Sequence, residues 1–146
     1  MVEMEARTET RVLEMLHNTP LWSGLSREDL KEIAKRSVIR EYENGDLIVR
    51  KGDRAPAFYL ILEGTVNVKS GGRTLSKLGI GQFFGEMSIL DSQLRTADVV
   101  AVEPVRCLVL HWTSFKGLIS TNPRVALRII QELARRLRDT TRSLTE

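Results

Sequence analysis

Residues 83–98 read Phe83-Phe84-Gly85-Glu86-Met87-Ser88-Ile89-Leu90-Asp91-Ser92-Gln93-Leu94-Arg95-Thr96-Ala97-Asp98. Gly85 permits close approach of the backbone to a ligand. A short helical turn starting there would point unpaired backbone N–H groups outward, which suits an anion. Arg95 carries a planar fork that matches two oxygens of a phosphate. Glu86 would repel a phosphate and needs a donor such as a ribose hydroxyl, so the segment permits a nucleotide without requiring one.

Short apolar segments punctuated by glycines flank this region. Glycine occurs eight times between residues 45 and 85. The predicted strands are 47–49, 57–62, 65–68, 74–78, 96–101 and 106–111, and Gly71-Gly72 predicts a hairpin turn. Short strands with regular glycine turns are typical of an antiparallel roll or barrel. We therefore predict an α+β fold that is mainly β, an antiparallel β-roll (jelly roll) flanked by N-terminal helices and a long C-terminal helix.

Helical patterns occupy both ends of the chain. Residues 3–17 predict an amphipathic helix, and the capping box at residues 26–29 predicts a short helix through about Lys35. Asn122 followed by Pro123 predicts the N-cap and first residue of the long C-terminal helix. Its apolar positions step by three and four residues, the spacing of a coiled-coil seam. These positions are Ala126, Ile130, Leu133, Leu137, Thr141 and Leu144.

Composition excludes several classes of protein. The 146 residues are 42% hydrophobic with a net charge of +3, and the longest apolar runs are far too short to span a bilayer. The one cysteine, Cys107, excludes a disulfide within the chain, so we expect a reducing cytoplasmic location and a buried, unreactive thiol. His17 and His111 lie far apart without a paired catalytic motif, and no metal-ligand cluster is evident. We expect no enzyme activity, no catalytic residue, no metal, no cofactor and no membrane insertion.

The segment 83–98 resembles the phosphate-binding cassette of the cyclic-nucleotide-binding domain family. The resemblance rests on Phe-Gly-Glu, a short apolar turn, a variable loop and Arg-Thr-Ala, and it extends over about residues 21–141. It includes Gly45-Asp46, Gly52-Asp53 and residues 58–66, which resemble the glycine-marked β-roll of the family, and the run 78–86, which resembles its approach to the cassette. The family includes the catabolite activator protein and the regulatory parts of cyclic-nucleotide-dependent kinases and channels.

The resemblance implies a role for each residue of the pocket. Arg95 would hold the cyclic phosphate, and Glu86 would accept a hydrogen bond from the ribose 2′-hydroxyl. Gly85, Met87 and Ser88 would offer backbone N–H groups. The side chains around ribose and base would be Val66, Leu75, Phe83 and Thr96. A threonine at position 96 is compatible with cyclic GMP as well as cyclic AMP, so the identity of the nucleotide stays open.

The C-terminal helix resembles the dimer helix of the catabolite-activator branch. In that branch an arginine and two hydroxyl residues reach the nucleotide, and the matching positions here are Arg136, Thr140 and Thr141. The resemblance implies a homodimer through this helix, or an effector protein that reads it. The activator branch continues into a helix-turn-helix DNA reader, and such a helix pair is not present before Glu146. We therefore expect no direct DNA binding.

These observations predict one cyclic-nucleotide-binding domain over residues 1–146. Its parts would be N-terminal helices over 1–36, a β-roll over 37–112 with the cassette at 83–98, and C-terminal helices over 113–146. The expected function is a sensor that binds cyclic AMP or cyclic GMP and reports occupancy through the C-terminal helix. The alternative is a ligand-free dimerisation or protein-interaction module, in which Glu86 and Arg95 simply pair.

Overall fold

The computed structural model describes residues 12–22, 24–53, 57–86 and 97–145. The helices are 12–17 (α1), Arg27–Arg36 (α2), Trp112–Thr121 (α3) and Pro123–Thr145 (α4), with a 3₁₀ turn at Pro20–Trp22. The strands are β1 (Ser37–Tyr42), β2 (Leu47–Val49), β3 (Ala57–Glu63), β4 (Val66–Ser70), β5 (Arg73–Leu78), β6 (Phe83–Phe84), β7 (Asp98–Ala101) and β8 (Val105–His111).

These eight strands form two antiparallel four-stranded sheets. The first sheet has the order β1-β8-β3-β6, and the second has the order β2-β7-β4-β5. In the first sheet, β3 and β8 pair with Leu60 opposite Leu108. In the second sheet, β4 is central and pairs with both β5 and β7. The predicted antiparallel β-roll with flanking helices and a long C-terminal helix is confirmed.

The first sheet separates two hydrophobic cores, because successive side chains of a strand point to opposite faces. On β3, Phe58 and Leu60 face a helix-side core that also receives residues of α1, α2, α3 and α4. Tyr59 and Ile61 face an inter-sheet core between the two sheets. Since β3 is covered on both faces, it reads as a continuous apolar run rather than as an alternating pattern.

Cys107 lies on β8 in the inter-sheet core, where it is fully buried. Burial raises the pKa of its thiol to about 12, because the charged thiolate is disfavoured away from water. The thiolate is the reactive form of cysteine. The prediction of a buried, unreactive thiol is therefore confirmed.

Glycines at two connections between strands adopt positive φ angles, which other residues rarely adopt. Gly71 and Gly72 have φ angles of 59° and 78° and join β4 to β5, which confirms the predicted hairpin turn. Gly64, after β3, has a φ of 92°, and a Cβ atom there would lie 2.3 Å from the carbonyl oxygen of Pro104. The close approach of this segment to Pro104 therefore requires a glycine at position 64.

Two strands lack an individual prediction from the sequence. β1 lies at the edge of the first sheet, and its polar residues and exposed Val38 hide the alternation that identifies a strand. β6 contains only two residues, which is too short for any periodicity. Tertiary pairing with β3 defines β6 instead, with Tyr59 opposite Phe84.

The observed ends of α2 and α4 agree with their predicted positions, although the Asn122 side chain contacts a different helix. The Ser26 hydroxyl accepts from the Asp29 backbone N–H at 3.1 Å, and α2 ends at Arg36, close to the predicted Lys35. Asn122 occupies the N-cap position of α4, as predicted, since its carbonyl accepts from the Ala126 backbone N–H at 3.2 Å. Its amide donates to the Leu118 carbonyl at 3.2 Å and so closes the preceding helix α3. Pro123 is the first residue of α4, as predicted.

The ends of the chain are described only in part. Of the predicted N-terminal helix, residues 12–17 are helical, and residues 3–11 lie outside the described residues. No helix in the described part of the chain combines the length and apolar character needed to cross a bilayer.

Candidate functional site

A cleft of about 780 Å³ lies between the second sheet, the end of β6 and the helix α4. The apolar wall of the cleft is formed by side chains of the inter-sheet core and of the β4–β5 hairpin. Those side chains are Val49, Val68, Leu75, Leu78, Phe84 and Val99. Its charged lining comprises four basic and two acidic side chains among the described residues. They are Arg73, Lys77, Arg135, Arg136, Glu86 and Asp139. This excess of positive charge favours an anionic ligand.

Glu86 brings a carboxylate into this cleft from a buried position. It follows Gly85, whose φ of 92° turns the chain away from β6 in a conformation that glycine adopts without strain. Only 2% of Glu86 is exposed. A buried charge is costly unless it is paired and hydrogen-bonded, so the partners of this carboxylate are central to the site.

Arg136 on α4 provides an ionic partner for Glu86. Its Nη1 donates to Glu86 Oε1 at 3.0 Å, its Nη2 donates to the carbonyl oxygen of Phe83 at 2.5 Å, and its Nε donates to Glu132 Oε1 at 3.1 Å. The guanidinium also lies 4.7 Å from the centre of the Phe83 ring. We call this set of contacts among Arg136, Glu86, Phe83 and Glu132 the clasp. It ties the C-terminal half of α4 to the start of the cassette.

The clasp continues along α4 as a ladder of alternating charges. Arg135 donates to Glu132 through Nη2 at 2.6 Å and Nε at 3.0 Å, and through Nη1 to Asp139 at 3.0 Å. The hydrogen bond from Arg135, together with the charges of Arg135 and Arg136, holds the pKa of Glu132 below its usual value, against an opposing effect of burial. This series of ion pairs begins at the buried Glu86 and ends at the exposed Asp139.

The structure brings several of the predicted site residues together. Gly85, Glu86, Leu75, Arg136 and Thr140 all line the cleft. The Thr140 hydroxyl donates to the Arg136 carbonyl at 3.0 Å, as a helical threonine commonly does. Four predicted site residues lie outside the described residues. They are Met87, Ser88, Arg95 and Thr96.

Three predicted side chains do not belong to the cleft wall. Val66 and Phe83 are buried in the inter-sheet and helix-side cores. Phe84 takes the wall position, because adjacent residues of β6 face opposite sides, and it stacks on Tyr59 at 4.8 Å. Thr141 is exposed on α4 and its hydroxyl donates to the Leu137 carbonyl. The structure thus places Val66 and Phe83 in the cores and not among the residues that line the cleft, although Phe83 contacts the cleft residue Arg136.

Sequence reasoning missed the residues Glu132, Arg135 and Asp139. Their spacing of three and four residues on a predicted helix indicates that they pair with one another. It does not indicate which side of the helix faces the cleft. Among the described residues, no cluster of three or more His, Cys, Asp or Glu side chains is arranged to hold a metal ion.

Comparisons with known proteins show which proteins this chain is similar to. A family model described as "Cyclic nucleotide-binding domain" matches residues 39–122. The chain is 39% identical over 129 residues to the cyclic AMP receptor protein of Thermus thermophilus, a match that covers 85% of this chain and 60% of that protein. It is 36% identical over 115 residues to isozyme 1 of the cGMP-dependent protein kinase of Drosophila melanogaster, covering 71% of this chain and 15% of the kinase.

A solved structure shows the same arrangement of elements. The crystal structure of the catabolite activator protein of Thermus thermophilus matches with a TM-score of 0.74 at 39% identity. That match covers 86% of this chain and 61% of the other. The chain thus spans less than two thirds of each of these three proteins.

Proposed function

The chain belongs to the cyclic nucleotide-binding domain family, and we propose that it binds a cyclic mononucleotide, cyclic AMP or cyclic GMP, as a regulatory sensor. The observation that carries this proposal is the buried Glu86 carboxylate facing a cleft with an excess of basic side chains. A carboxylate accepts hydrogen bonds only, so it selects a ligand that presents a hydroxyl or amine donor. A ribose 2′-hydroxyl beside a cyclic phosphate meets this requirement.

The proposed ligand contacts divide between polar and apolar groups. Arg95 would hold the cyclic phosphate, with backbone N–H groups of Gly85, Met87 and Ser88 and the Thr96 hydroxyl beside it. Leu75 supports the apolar part of the proposal, since it lines the cleft while 58% of it is exposed. A purine base covering Leu75 would remove apolar surface from water.

The clasp supports the proposal that α4 reports occupancy. A nucleotide hydroxyl that donates to Glu86 shares the carboxylate with Arg136. The bound and empty cleft would therefore hold Arg136, and with it the C-terminal half of α4, with different strength. Such a difference in affinity is what a ligand needs to shift the population of two helix positions. Thr140 lies in the cleft one turn beyond Arg136 and would contact the base or ribose.

We further propose that α4 pairs with α4 of a second copy. An exposed stripe runs along this helix with alternating steps of three and four residues, the spacing of a coiled coil. The stripe is Leu127, Ile130, Ala134, Leu137, Thr141 and Leu144. Ala126 and Leu133, which the sequence placed in the seam, are half-buried, and Leu133 packs on the helix-side core. Thr141 would then lie in the seam between the two copies.

The same stripe supports a second candidate, a dimerisation or protein-interaction module that binds no nucleotide. A buried Glu86 paired with Arg136 fits that function too, because the arginine balances the carboxylate charge without a ligand. For either candidate we propose a cytoplasmic, non-catalytic protein without a cofactor, in line with the regulatory character of the family. The two candidates differ in one measurable property, the response to nucleotide.

Isothermal titration of nucleotide-stripped protein with cyclic AMP, and separately with cyclic GMP, tests the sensor. We expect saturable binding of at least one of them, and a loss of at least about tenfold in affinity for Arg95→Ala, since a charge-assisted bond to phosphate is removed. Arg40→Ala, an exposed arginine on β1, is the matched control and should bind like the parent. Absence of heat with both nucleotides, together with an unchanged melting temperature, would favour the ligand-free module.

A further inference from the structure

Glu132 lies behind the cleft, where it contacts two of the arginines that line it, Arg135 and Arg136. Its Oε1 accepts from Arg136 Nε at 3.1 Å and from Arg135 Nη2 at 2.6 Å, while its Oε2 accepts from Arg135 Nε at 3.0 Å. The two arginines line the cleft, and Glu132 is not among the lining residues. Its side chain is about one fifth exposed, less than that of Arg135. Any effect of Glu132 on a ligand must therefore pass through its neighbours.

A guanidinium has five N–H donors in one rigid plane, so fixing one edge fixes the direction of the others. Glu132 holds the Nε edge of Arg136, and it does so from one turn away on the same helix. The Nη1 and Nη2 edges are thereby directed towards Glu86 and the Phe83 carbonyl, which belong to the β-roll. Without Glu132, the long Arg136 side chain would have more rotamers available, and ordering it would cost more entropy.

We propose that Glu132 is a positioning residue, which sets the affinity of the cleft for a cyclic nucleotide by holding the Arg136 guanidinium against Glu86. This inference rests on the proposed function, since it assumes that Glu86 receives a ligand hydroxyl. Arg136 keeps Glu86 charged and oriented as an acceptor, and Glu132 keeps Arg136 in place. The bidentate contact from Arg135 and the lowered pKa of Glu132 support the role, because both keep this carboxylate ionised.

An ordinary surface ion pair on α2 offers a matched control. Glu32 and Arg36 are four residues apart, like Glu132 and Arg136, and join at 3.3 Å with both side chains exposed. Glu32→Ala therefore removes an ion pair of the same spacing, one that is not part of the cleft lining. Any effect shared by Glu32→Ala and Glu132→Ala reflects helix stability rather than the positioning of Arg136.

The first experiment needs no ligand. Nitrogen-15 NMR of the arginine Nε–Hε groups reports the environment and solvent exchange of Arg136 in the full chain. In Glu132→Ala we expect the Arg136 signal to shift and to lose its protection from exchange, whereas Glu132→Gln, which keeps an acceptor oxygen, retains part of it. Glu32→Ala should leave the Arg136 signal unchanged. An unchanged Arg136 signal in Glu132→Ala would overturn the proposal.

The second experiment measures nucleotide affinity by titration with cyclic AMP and cyclic GMP. We expect Glu132→Ala to weaken binding by about tenfold, Glu132→Gln to lie between it and the parent, and Glu32→Ala to match the parent. In the Arg136→Ala background, adding Glu132→Ala should change affinity by less than about twofold, because the residue acts through Arg136. An undiminished effect there, or none in the parent background, contradicts the positioning role. If the parent itself binds neither nucleotide, the proposed function fails, and the NMR result alone decides whether Glu132 holds Arg136.

Discussion

In its first half α4 is held to the protein by buried apolar side chains, with hydrogen bonds from Arg124 and Arg128 to backbone carbonyls beside them. In its second half it is held by the ion pair between Arg136 and Glu86 and the contacts around it. Val125 and Ile129 are 0% and 2% exposed and belong to the helix-side core. Beyond Leu133, the apolar residues Leu137 and Leu144 are 68% and 83% exposed, and the clasp makes the contact with the β-roll. One continuous helix thus has two kinds of anchor.

This difference between the two halves of α4 bears on the proposed response of the helix to a ligand. Burial of apolar side chains is non-directional and does not depend on a group in the cleft. The clasp depends on Glu86, which lines the cleft, and its hydrogen bonds are sensitive to direction and to competing donors. If a nucleotide binds the cleft as proposed, we therefore expect the first half of α4 to stay in place and the second half to change position.

The largest effect should come from the apolar anchor. Ile129→Ala deletes buried methyl and methylene groups and leaves a cavity, so we expect a loss of about 2–5 kcal/mol in the free energy of unfolding. Chemical denaturation followed by circular dichroism measures it. In the monomer, the adjacent Ile130→Ala is a matched control because Ile130 is 60% exposed, and its effect on the free energy of unfolding should stay within about 0.5 kcal/mol. Equal losses in the two variants would contradict the division of α4 into two halves.

Removing the clasp should have a smaller effect. Arg136→Ala deletes the ion pair with Glu86 and the bond to Phe83, and we expect a loss of about 1–3 kcal/mol, since a buried carboxylate loses a charged donor. Denaturant midpoints at neutral pH provide the measurement. Arg138→Ala, an exposed arginine two residues along the helix, should cost less than about 0.5 kcal/mol. If both variants behave alike, the clasp does not hold the helix.

Acidification should weaken the contacts that hold the second half of α4 before it weakens those that hold the first half. The folded state lowers the pKa of Glu132 below 4.5, so its contribution to stability is complete above that value and is lost as the pH falls through the lower folded pKa. We expect the stability difference between the parent and Glu132→Gln to shrink between about pH 5 and pH 3, while the difference between the parent and Ile129→Ala persists. Denaturation at a series of pH values tests this. A difference for Glu132→Gln that does not depend on pH would exclude ionisation as the source.

The smallest effect on the monomer should come from the exposed stripe. Leu137→Ala should change the free energy of unfolding of the isolated chain by less than about 0.5 kcal/mol, because the side chain is already in water. It should nevertheless weaken a dimer formed through α4, which sedimentation velocity at several concentrations would show. Arg138→Ala, close by but outside the stripe, is the control. A parent that stays monomeric at high concentration would contradict pairing through this helix.

Much of the fold follows from local patterns that depend on near neighbours in the chain. The cap of α2 at Ser26 and the hairpin at Gly71-Gly72 need only local hydrogen bonds and positive φ angles. Local reasoning placed Asn122 correctly at the start of α4 but failed for its side chain, which donates to the Leu118 carbonyl of the preceding helix. It also failed at β6, whose two residues become a strand only by pairing with β3.

The sequence by itself determined the β-roll, the long C-terminal helix and the identity of Glu86 and Arg136 as site candidates, because these depend on periodicity, on glycines and on the resemblance of the cassette. Only the tertiary structure decided which face of α4 meets the roll, and therefore that Arg136 reaches Glu86; it also decided that Phe84 rather than Phe83 lines the cleft. The physical reason is that a helix rich in both leucine and arginine can present several faces. The choice among them is made by the shape and charge of a surface assembled from distant parts of the chain.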